Sequence, residues 1–239
     1  MTSKNILEYL KENPIENANI IHFIESYPVH SLEKIGNSVV AKGTSDRDWV
    51  YISSKSSLEL KMIQNHLTAQ DCNFAVIEDW MVPILCGNRN IKWKLSTLRL
   101  FLPETVPLPA PLLHPSPLTV KDAEFIYYHS AYQQYLSVDY IGERIRNGID
   151  SCLREGDNKP PFAWALTQDD GAIGFLNVLP ERRNKGYARA VTIDIIQKVR
   201  AQKRLPFVLI EADHFPSMRL ALSLGFVQDR TVSWFEIEV

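Results

Sequence analysis

The spacing of hydrophobic and polar residues changes several times along the chain between a helical and an extended pattern. In the first half, apolar residues three and four positions apart predict three helices, over residues 3–12, 16–27 and 56–67. Alternating or continuous apolar runs predict four strands there, over residues 38–42, 49–53, 73–77 and 93–102. The first half is therefore predicted to mix helices and strands.

The second half alternates the two kinds of element more regularly. Helices are predicted over residues 119–135, 140–155, 187–203 and 216–224. Strands are predicted over residues 162–167, 172–179, 207–212 and 231–239. The order helix, helix, strand, strand, helix, strand, helix, strand indicates an α/β (α+β) fold with a mixed central sheet and flanking helices.

A proline-rich segment separates the two halves. Residues 103–117 hold six of the fourteen prolines and no glycine. Because proline fixes φ and pushes its predecessor out of the helical region, this segment is predicted to be an extended linker or crossover. A recognition motif for another protein is the alternative. The 239 residues are accordingly divided into a first domain, 1–102, and a second domain, 118–239.

The composition narrows the class of protein. With 45% hydrophobic and 23% charged residues, the chain is neither disordered nor collagen-like nor a coiled coil. The net charge is −2 and is shared evenly by the two halves, so no domain has the basic excess of a general nucleic-acid binder. No apolar stretch reaches the 18 or so residues of a membrane span, so no membrane partner is expected.

The cysteines and the N-terminal residues indicate in which cellular compartment the protein is expected. Three widely spaced cysteines form no C-x-x-C pair, so neither a zinc site nor a disulfide framework is expected, and no metal is predicted. The first fourteen residues mix acidic and basic side chains and lack the apolar core of a signal peptide. We therefore expect a soluble protein of a reducing compartment, the cytoplasm.

One segment has the chemistry of an anion site. Arg183-Asn-Lys-Gly186-Tyr-Ala188 follows a predicted strand and opens a predicted helix. Such a loop presents unpaired backbone N–H groups and the positive end of the helix dipole, while Gly186 and Ala188 leave room for a phosphate. Four cations lie within eight residues: Arg182, Arg183, Lys185 and Arg189. The alternative is a solvated basic turn, but basic residues oppose the dipole unless an anion compensates.

This segment fits the pattern R/Q-x-x-G-x-G/A and resembles the pyrophosphate-binding signature of the GNAT superfamily of acyl-CoA-dependent N-acyltransferases. Further segments are similar to the opening and closing parts of such domains: residues 119–125 and 218–226. Residues 161–167 and 178–183 look most like the glycine N-acyltransferase-like branch, which also carries a degenerate N-terminal copy of the fold. The close resemblance covers about residues 116–239.

The resemblance implies a binding site for acetyl-CoA or another acyl-CoA. In that family the pantetheine arm fills a gap between two splayed strands, which makes the backbone of the fourth strand a candidate for pantetheine and oxyanion contacts. The implied cofactor-binding residues are Leu176, Asn177 and Val178 on that strand, the loop and helix residues Arg183, Asn184, Lys185, Gly186, Tyr187, Ala188 and Arg189, and Ser217.

The usual catalytic positions of the family are not preserved. Ala172 stands where glycine N-acyltransferases have a glutamate, and Ala221 stands where many members have the tyrosine acid. Glu211, expected on the fifth strand, is the candidate general base, with Asp213 or an ordered water as alternatives. His214 is a second candidate for proton transfer, because imidazole titrates near neutral pH, although a structural role is the alternative.

The sequence thus predicts an enzyme that moves an acetyl or other acyl group from CoA to the amine of a small molecule or amino acid by direct attack. The alternative is a CoA-binding protein of this fold without catalysis, acting as a sensor or interaction module. A purely structural protein is a third possibility. The acceptor, the acyl length, the oligomeric state and the role of the first half stay open.

Overall fold

In a computed structural model of the chain, which describes residues 2–110 and 112–238, the described residues form eight α-helices and ten β-strands. They fall into two compact units. The first comprises the residues up to Leu100, together with Ile210–Phe215 and the residues from Gln228 onward. The second comprises Phe101–Leu209 and Pro216–Val227. The predicted mixed α/β class with flanking helices is confirmed.

The first unit holds four helices and six strands. Its helices are α1 (Ser3–Lys11), α2 (Ala18–Ser26), α3 (Ser57–His66) and α4 (Val82–Cys86). Its strands are β1 (Val29–Ile35), β2 (Ser38–Thr44), β3 (Asp48–Ser53), β4 (Asn73–Glu78), β5 (Ile91–Phe101) and most of β10 (Val227–Ile237). Within the unit the strands are neighbours in the order β1-β2-β3-β4-β10-β5.

The strands of the first unit bury alternate residues in two separate cores. Val39 and Tyr51 pack with the apolar residues of α1 and α2, such as Leu10. Their chain neighbours Val40 and Val50 pack in the other core. That second core also holds the apolar residues Leu60, Ile63, Leu85, Phe74 and Phe235. This division follows from the two-residue period of a strand, which sends successive side chains to opposite faces.

The second unit holds the remaining elements. Its helices are α5 (Ala123–Tyr128), which follows a 3₁₀ turn (Val120–Asp122), α6 (Val138–Asn147), α7 (Tyr187–Ala201) and, from Pro216 on, α8 (Phe215–Ser223). Its strands are β6 (Asp150–Arg154), β7 (Pro161–Thr167), β8 (Ile173–Val178) and β9 (Phe207–Ile210). Their order is β9-β8-β7-β6, with β8 and β9 parallel.

Two helices of the second unit are shorter than predicted. The helix predicted over residues 119–135 ends at Tyr128, and only a 3₁₀ turn (Gln133–Tyr135) follows. The helix predicted over 140–155 is wrong in its second part, where β6 forms. α6 ends at Asn147 and is followed by Gly148, where a Cβ would lie only 2.5 Å from the carbonyl oxygen of Arg144. The apolar residues after it then pair as a strand.

Several other boundaries differ from the prediction. β1 and α4 were not predicted, since β1 is short of apolar residues and α4 spans one turn. β9 ends at Ile210 rather than at residue 212, which leaves Glu211 beyond the strand. The last strand begins at Val227 rather than at residue 231, and its predicted end, Val239, lies outside the described residues.

The proline-rich segment forms no helix or strand over 103–110 and 112–117, and Pro111 lies outside the described residues. It is held on the second unit, since Arg200 donates to the carbonyl oxygens of Val106 and Pro103 at 2.9 and 2.8 Å. Ser116 and Cys152 form an isolated bridge. Most of the last strand belongs to the first unit. The two units therefore divide the chain differently from the predicted domains, 1–102 and 118–239.

Candidate functional site

The parallel strands β8 and β9 of the second unit separate along their length. They share a single register position, Ile173 opposite Val208. On its other side β8 stays paired with β7 up to Val178. Among the described residues, β8 from Gly174 to Val178 therefore has strand partners only toward β7. This open edge carries backbone N–H and C=O groups for an extended ligand.

A bulge shapes the open edge of β8. The β7–β8 register slips between Trp164–Asn177 and Leu166–Gly174, so β8 carries one extra residue there. Phe175 takes up the slip with φ of +53°, a left-handed conformation that costs a non-glycine residue energy. Strain of this kind clusters at ligand sites, and here it lies directly before Leu176–Val178.

The loop between β8 and α7 presents a row of free backbone donors. Asn184 and Gly186 both have positive φ, +62° and +80°. The first backbone hydrogen bond of α7 runs from Ala190 N to Gly186 O at 3.0 Å. The six N–H groups of residues 184–189, which we call the 184–189 cradle, donate to no residue that the structure describes. Alternating left- and right-handed backbone at a helix N-terminus forms an anion-binding concavity.

The four basic side chains of this segment make different contacts. Arg183 donates through Nε to Val178 O at 3.1 Å, which ties the loop to the end of β8. Arg189 donates to Ser223 Oγ on α8 at 3.0 Å. Arg182 turns to Glu155 at 2.5 Å and lies 5.2 Å from the centre of the Phe162 ring. Lys185 is exposed and makes no ion pair with the described residues.

The remaining predicted binding residues are also in the second unit. Leu176 and Asn177 are half-buried on β8, and Val178 is buried. The Tyr187 ring packs 4.9 Å from that of Phe162. Ser217 is half-buried on α8. The second unit thus brings together the open edge of β8, the 184–189 cradle and α8.

The two predicted catalytic residues lie in the other unit. Glu211 and His214 share a turn in which His214 N donates to Glu211 O at 3.0 Å. This turn, with Asp213, belongs to the first unit. Glu211 is half-buried, whereas Asp213 and His214 are exposed. The alanines at the family's usual catalytic positions are buried: Ala172 is fully so, and Ala221 is 5% exposed.

A histidine that the sequence reasoning missed lies beside the open edge of β8. His129 follows the last residue of α5, and its carbonyl oxygen accepts a hydrogen bond from Asn177 Nδ2 at 2.9 Å. Its ring stacks on Phe125, with ring centres 4.0 Å apart. It could not be found from the sequence because the helix was predicted to run on to residue 135, and no local pattern links residues 129 and 177.

The start of α5 is fixed by a buried ion pair. Arg154 Nη2 lies 2.8 Å from Asp122 Oδ2, and each side chain is 9% exposed. Asp122 also accepts from Thr119 N at 2.7 Å in a capping box. Burial alone would raise the pKa of Asp122, but the bonds from Arg154 and Thr119 outweigh it and lower that pKa. The hydrogen bond to Asp122 raises the pKa of Arg154.

Comparison with known proteins identifies this architecture. The family model described as "FR47-like protein" matches residues 152–235, which span β6 to β10. No curated protein matches the chain. No helix in the described part of the chain has the length and apolar character needed to cross a membrane.

Solved structures show the same fold over nearly the whole chain. A Drosophila protein is 14% identical, with a TM-score of 0.79 over 99% of this chain and 97% of its own. An acetyltransferase from the GNAT family of Colwellia psychrerythraea is 12% identical, with a TM-score of 0.52 over 95% and 97%. A GCN5-related N-acetyltransferase from Kribbella flavida is 13% identical, with a TM-score of 0.54 over 93% and 94%. The chain has the fold of GNAT superfamily acetyltransferases.

Proposed function

We propose that the protein is an N-acyltransferase that moves an acetyl or other acyl group from CoA to the amine of a small molecule or amino acid. The observation that carries this proposal is the 184–189 cradle at the end of the open edge of β8. A chain of free N–H groups at a helix N-terminus suits a pyrophosphate, and an unpaired strand edge suits an amide-bearing arm that continues from it. Acyl-CoA combines the two.

The residues present fit such a ligand. The 184–189 cradle has open space above Gly186, where a Cβ would meet no atom within 4 Å. Lys185 and the terminal nitrogens of Arg183 would add charge-assisted hydrogen bonds to phosphate oxygens. The backbone of Leu176–Val178 would hold the pantetheine arm and the developing oxyanion. When bound, acyl-CoA supplies the acyl group as a thioester.

The predictions for individual site residues and for the first unit also belong to this proposal. Glu211, His214 and Ser217 stay proposed site residues, and the first unit stays a proposed degenerate copy of the fold. In its support, β3 and β4 of the first unit are also parallel and share one register position, Val50 opposite Phe74. The glycine N-acyltransferase-like branch and the cytoplasmic location rest on the sequence alone.

Isothermal titration of the whole chain with CoA and acetyl-CoA tests the proposal. We expect both to bind with dissociation constants well below about 1 mM, a free energy more favourable than about −4 kcal/mol. An absence of heat at millimolar ligand would overturn the proposal. Thiol release is then followed with acetyl-CoA and a panel of small amines and amino acids.

The same thiol-release assay tests the second candidate function, a CoA-binding protein without catalysis. Buried alanines at positions 172 and 221 favour this second candidate, because neither can exchange a proton. It requires that CoA bind while thiol release stays at the rate of the blank with every amine. Turnover that depends on a protein side chain would reject it.

Two basic residues of the loop are expected to differ in their effect on binding. Lys185→Ala should weaken CoA binding about tenfold, because a charge-assisted hydrogen bond contributes about 1.5–3 kcal/mol. Arg182→Ala should leave the dissociation constant within about twofold, because Arg182 is engaged by Glu155 and Phe162. Titration at two salt concentrations checks this, since only Lys185→Ala should reduce the salt dependence of binding. Equal losses in both variants would contradict the assignment.

A further inference from the structure

We propose that His129 is the general base of the acyl transfer and removes a proton from the acceptor amine through Nε2. This inference rests on the proposed function and deepens it. It assigns the proton transfer to the second unit, which also carries the 184–189 cradle and the open edge of β8. Neither Glu211 nor His214 belongs to that unit.

The first step of the argument is the tautomer of His129. Its Nδ1 lies 2.8 Å from the carbonyl oxygen of Phe125, four residues earlier. A carbonyl oxygen only accepts, so Nδ1 must carry the hydrogen, and in the neutral ring Nε2 is left with its lone pair. Nε2 forms no hydrogen bond with any residue in the described ranges, and the residue is exposed. The ring is therefore set as a base that a substrate can reach.

The second step is the fixed position of the ring. It stacks on the ring of Phe125, with ring centres 4.0 Å apart, and makes a T-shaped contact with Trp164, with ring centres 6.4 Å apart. Two aromatic contacts and the bond from Nδ1 restrict the ring without engaging Nε2. Phe125, Trp164 and Asn177, which contact His129 through their side chains, carry no charge. No ion pair of the described residues includes His129. A base held in one orientation loses little entropy when it acts.

The third step places the ring next to the proposed thioester. Asn177 is the partner of Trp164 in the β7–β8 ladder, so both contacts of His129 to the sheet lie at one register position. The hydrogen bond from Asn177 Nδ2 to His129 O, at 2.9 Å, ties the end of α5 to the open edge of β8. That edge is the segment proposed to hold the pantetheine arm. The backbone of His129 is thus bonded to the middle residue of Leu176–Val178, the segment proposed to hold the pantetheine arm and the developing oxyanion.

The chemistry balances with this one base. Nε2 takes a proton from the acceptor ammonium group and leaves a neutral amine. The amine nitrogen forms a bond to the acyl carbon, the C–S bond breaks, and its electron pair leaves with sulfur. The second proton of the nitrogen passes to sulfur and gives the thiol. His129 then releases its proton to solvent and returns to its starting state.

The position of His129 can be tested without turnover by footprinting with diethyl pyrocarbonate, which acylates neutral imidazoles. The wild-type chain is labelled with and without saturating acetyl-CoA, and each histidine is quantified by peptide mass spectrometry. We expect acetyl-CoA to slow labelling of His129 at least about fivefold, while the exposed His114 in the proline-rich segment reacts equally in both. Unchanged labelling of His129 beside bound acetyl-CoA would overturn the proposal. A titration without any acetyl-CoA binding would overturn the proposed function as well.

Substitutions at three histidines separate the base from a structural role. His129→Asn keeps a donor in place of Nδ1 and removes Nε2. General-base catalysis contributes about 10²–10⁴-fold, so kcat for thiol release with the best amine of the panel should fall at least about a hundredfold. The acetyl-CoA dissociation constant should stay within twofold, and the acidic limb of the pH–rate profile should disappear. His114→Asn is the control. A loss in His214→Asn with none in His129→Asn, or no release with any amine, would overturn the assignment.

Discussion

Gly186→Ala is expected to weaken the binding of acetyl-CoA about a hundredfold, equivalent to ~2.7 kcal/mol. Gly186 has φ of +80° and the space above it is open, so a ligand can come directly against the backbone. An added methyl group would occupy that space and hold a phosphate away from the N–H groups on either side. Losing one or two hydrogen bonds to a charged ligand accounts for this magnitude. Isothermal titration measures the change.

The second unit offers a matched control for the strain of this substitution. Gly156 also has positive φ, +129°, and a Cβ there would also meet no atom within 4 Å. It lies in the loop between β6 and β7, away from the cradle in sequence. Gly156→Ala should therefore lower the thermal midpoint at least as much as Gly186→Ala, since both place a side chain in a left-handed backbone. It should leave binding unchanged, and a similar loss of affinity in both variants would contradict the cradle.

The elements that the sequence predicted well are those whose signals are local. Helix α3 is an example, because Ser56 accepts a hydrogen bond from Glu59 N at 3.3 Å, as its position before an apolar periodic run predicts. The loop at Gly186 is another, because glycine, cations and the following helix lie together in sequence. In both cases the residues that determine the structure are within a few positions of one another.

The elements that it missed depend on distant contacts. β6 continues the apolar pattern of α6, and it forms a strand because it pairs with β7, where Asp150 lies opposite Leu166 and Cys152 opposite Trp164. The strand at 231–239 was predicted, but its pairing with β4, over 150 residues earlier in the chain, was not, because no periodicity indicates a strand's partner. Helical and extended patterns are hard to distinguish in short apolar runs, and tertiary pairing then decides between them.

The candidate site shows the same difference between local sequence signals and distant contacts. Its proposed anion-binding part, residues 183–189, is one continuous segment, so the motif alone points to it. Its proposed base could not, since His129 reaches the open edge of β8 through Asn177, 48 positions away. Glu211 is expected on β9 from the sequence, but β9 ends one residue before it. Catalytic residues come together through the fold, so a single sequence identifies a binding loop more readily than a base.

Asp122→Asn is expected to destabilise the protein by about 3 kcal/mol at pH 7. It leaves the guanidinium of Arg154 buried without its carboxylate, and breaking one side of a buried ion pair costs about 3–5 kcal/mol. The asparagine can still accept from Thr119 N, which keeps part of the capping box. Because α5 begins directly after Asp122 and ends directly before His129, the pair also fixes the helix that positions the proposed base. Chemical denaturation of both proteins measures the difference.

The pH dependence of that difference follows from the pKa of Asp122, which the folded state lowers. A carboxyl group with a lowered pKa adds stability above its unfolded pKa, near 3.9, and loses it as the pH falls through its folded value. The difference in the free energy of unfolding between wild type and Asp122→Asn should thus be full at pH 7 and shrink below about pH 4.

Adding Arg154→Met to Asp122→Asn should recover at least half of the lost free energy of unfolding, because no charge is then left unpaired. The exposed pair of Lys11 and Glu25 is the control, since Glu25→Gln should leave the free energy of unfolding nearly unchanged. A difference between wild type and Asp122→Asn that keeps its full size at pH 3, or no recovery in the double variant, would show that Asp122 acts through something other than Arg154.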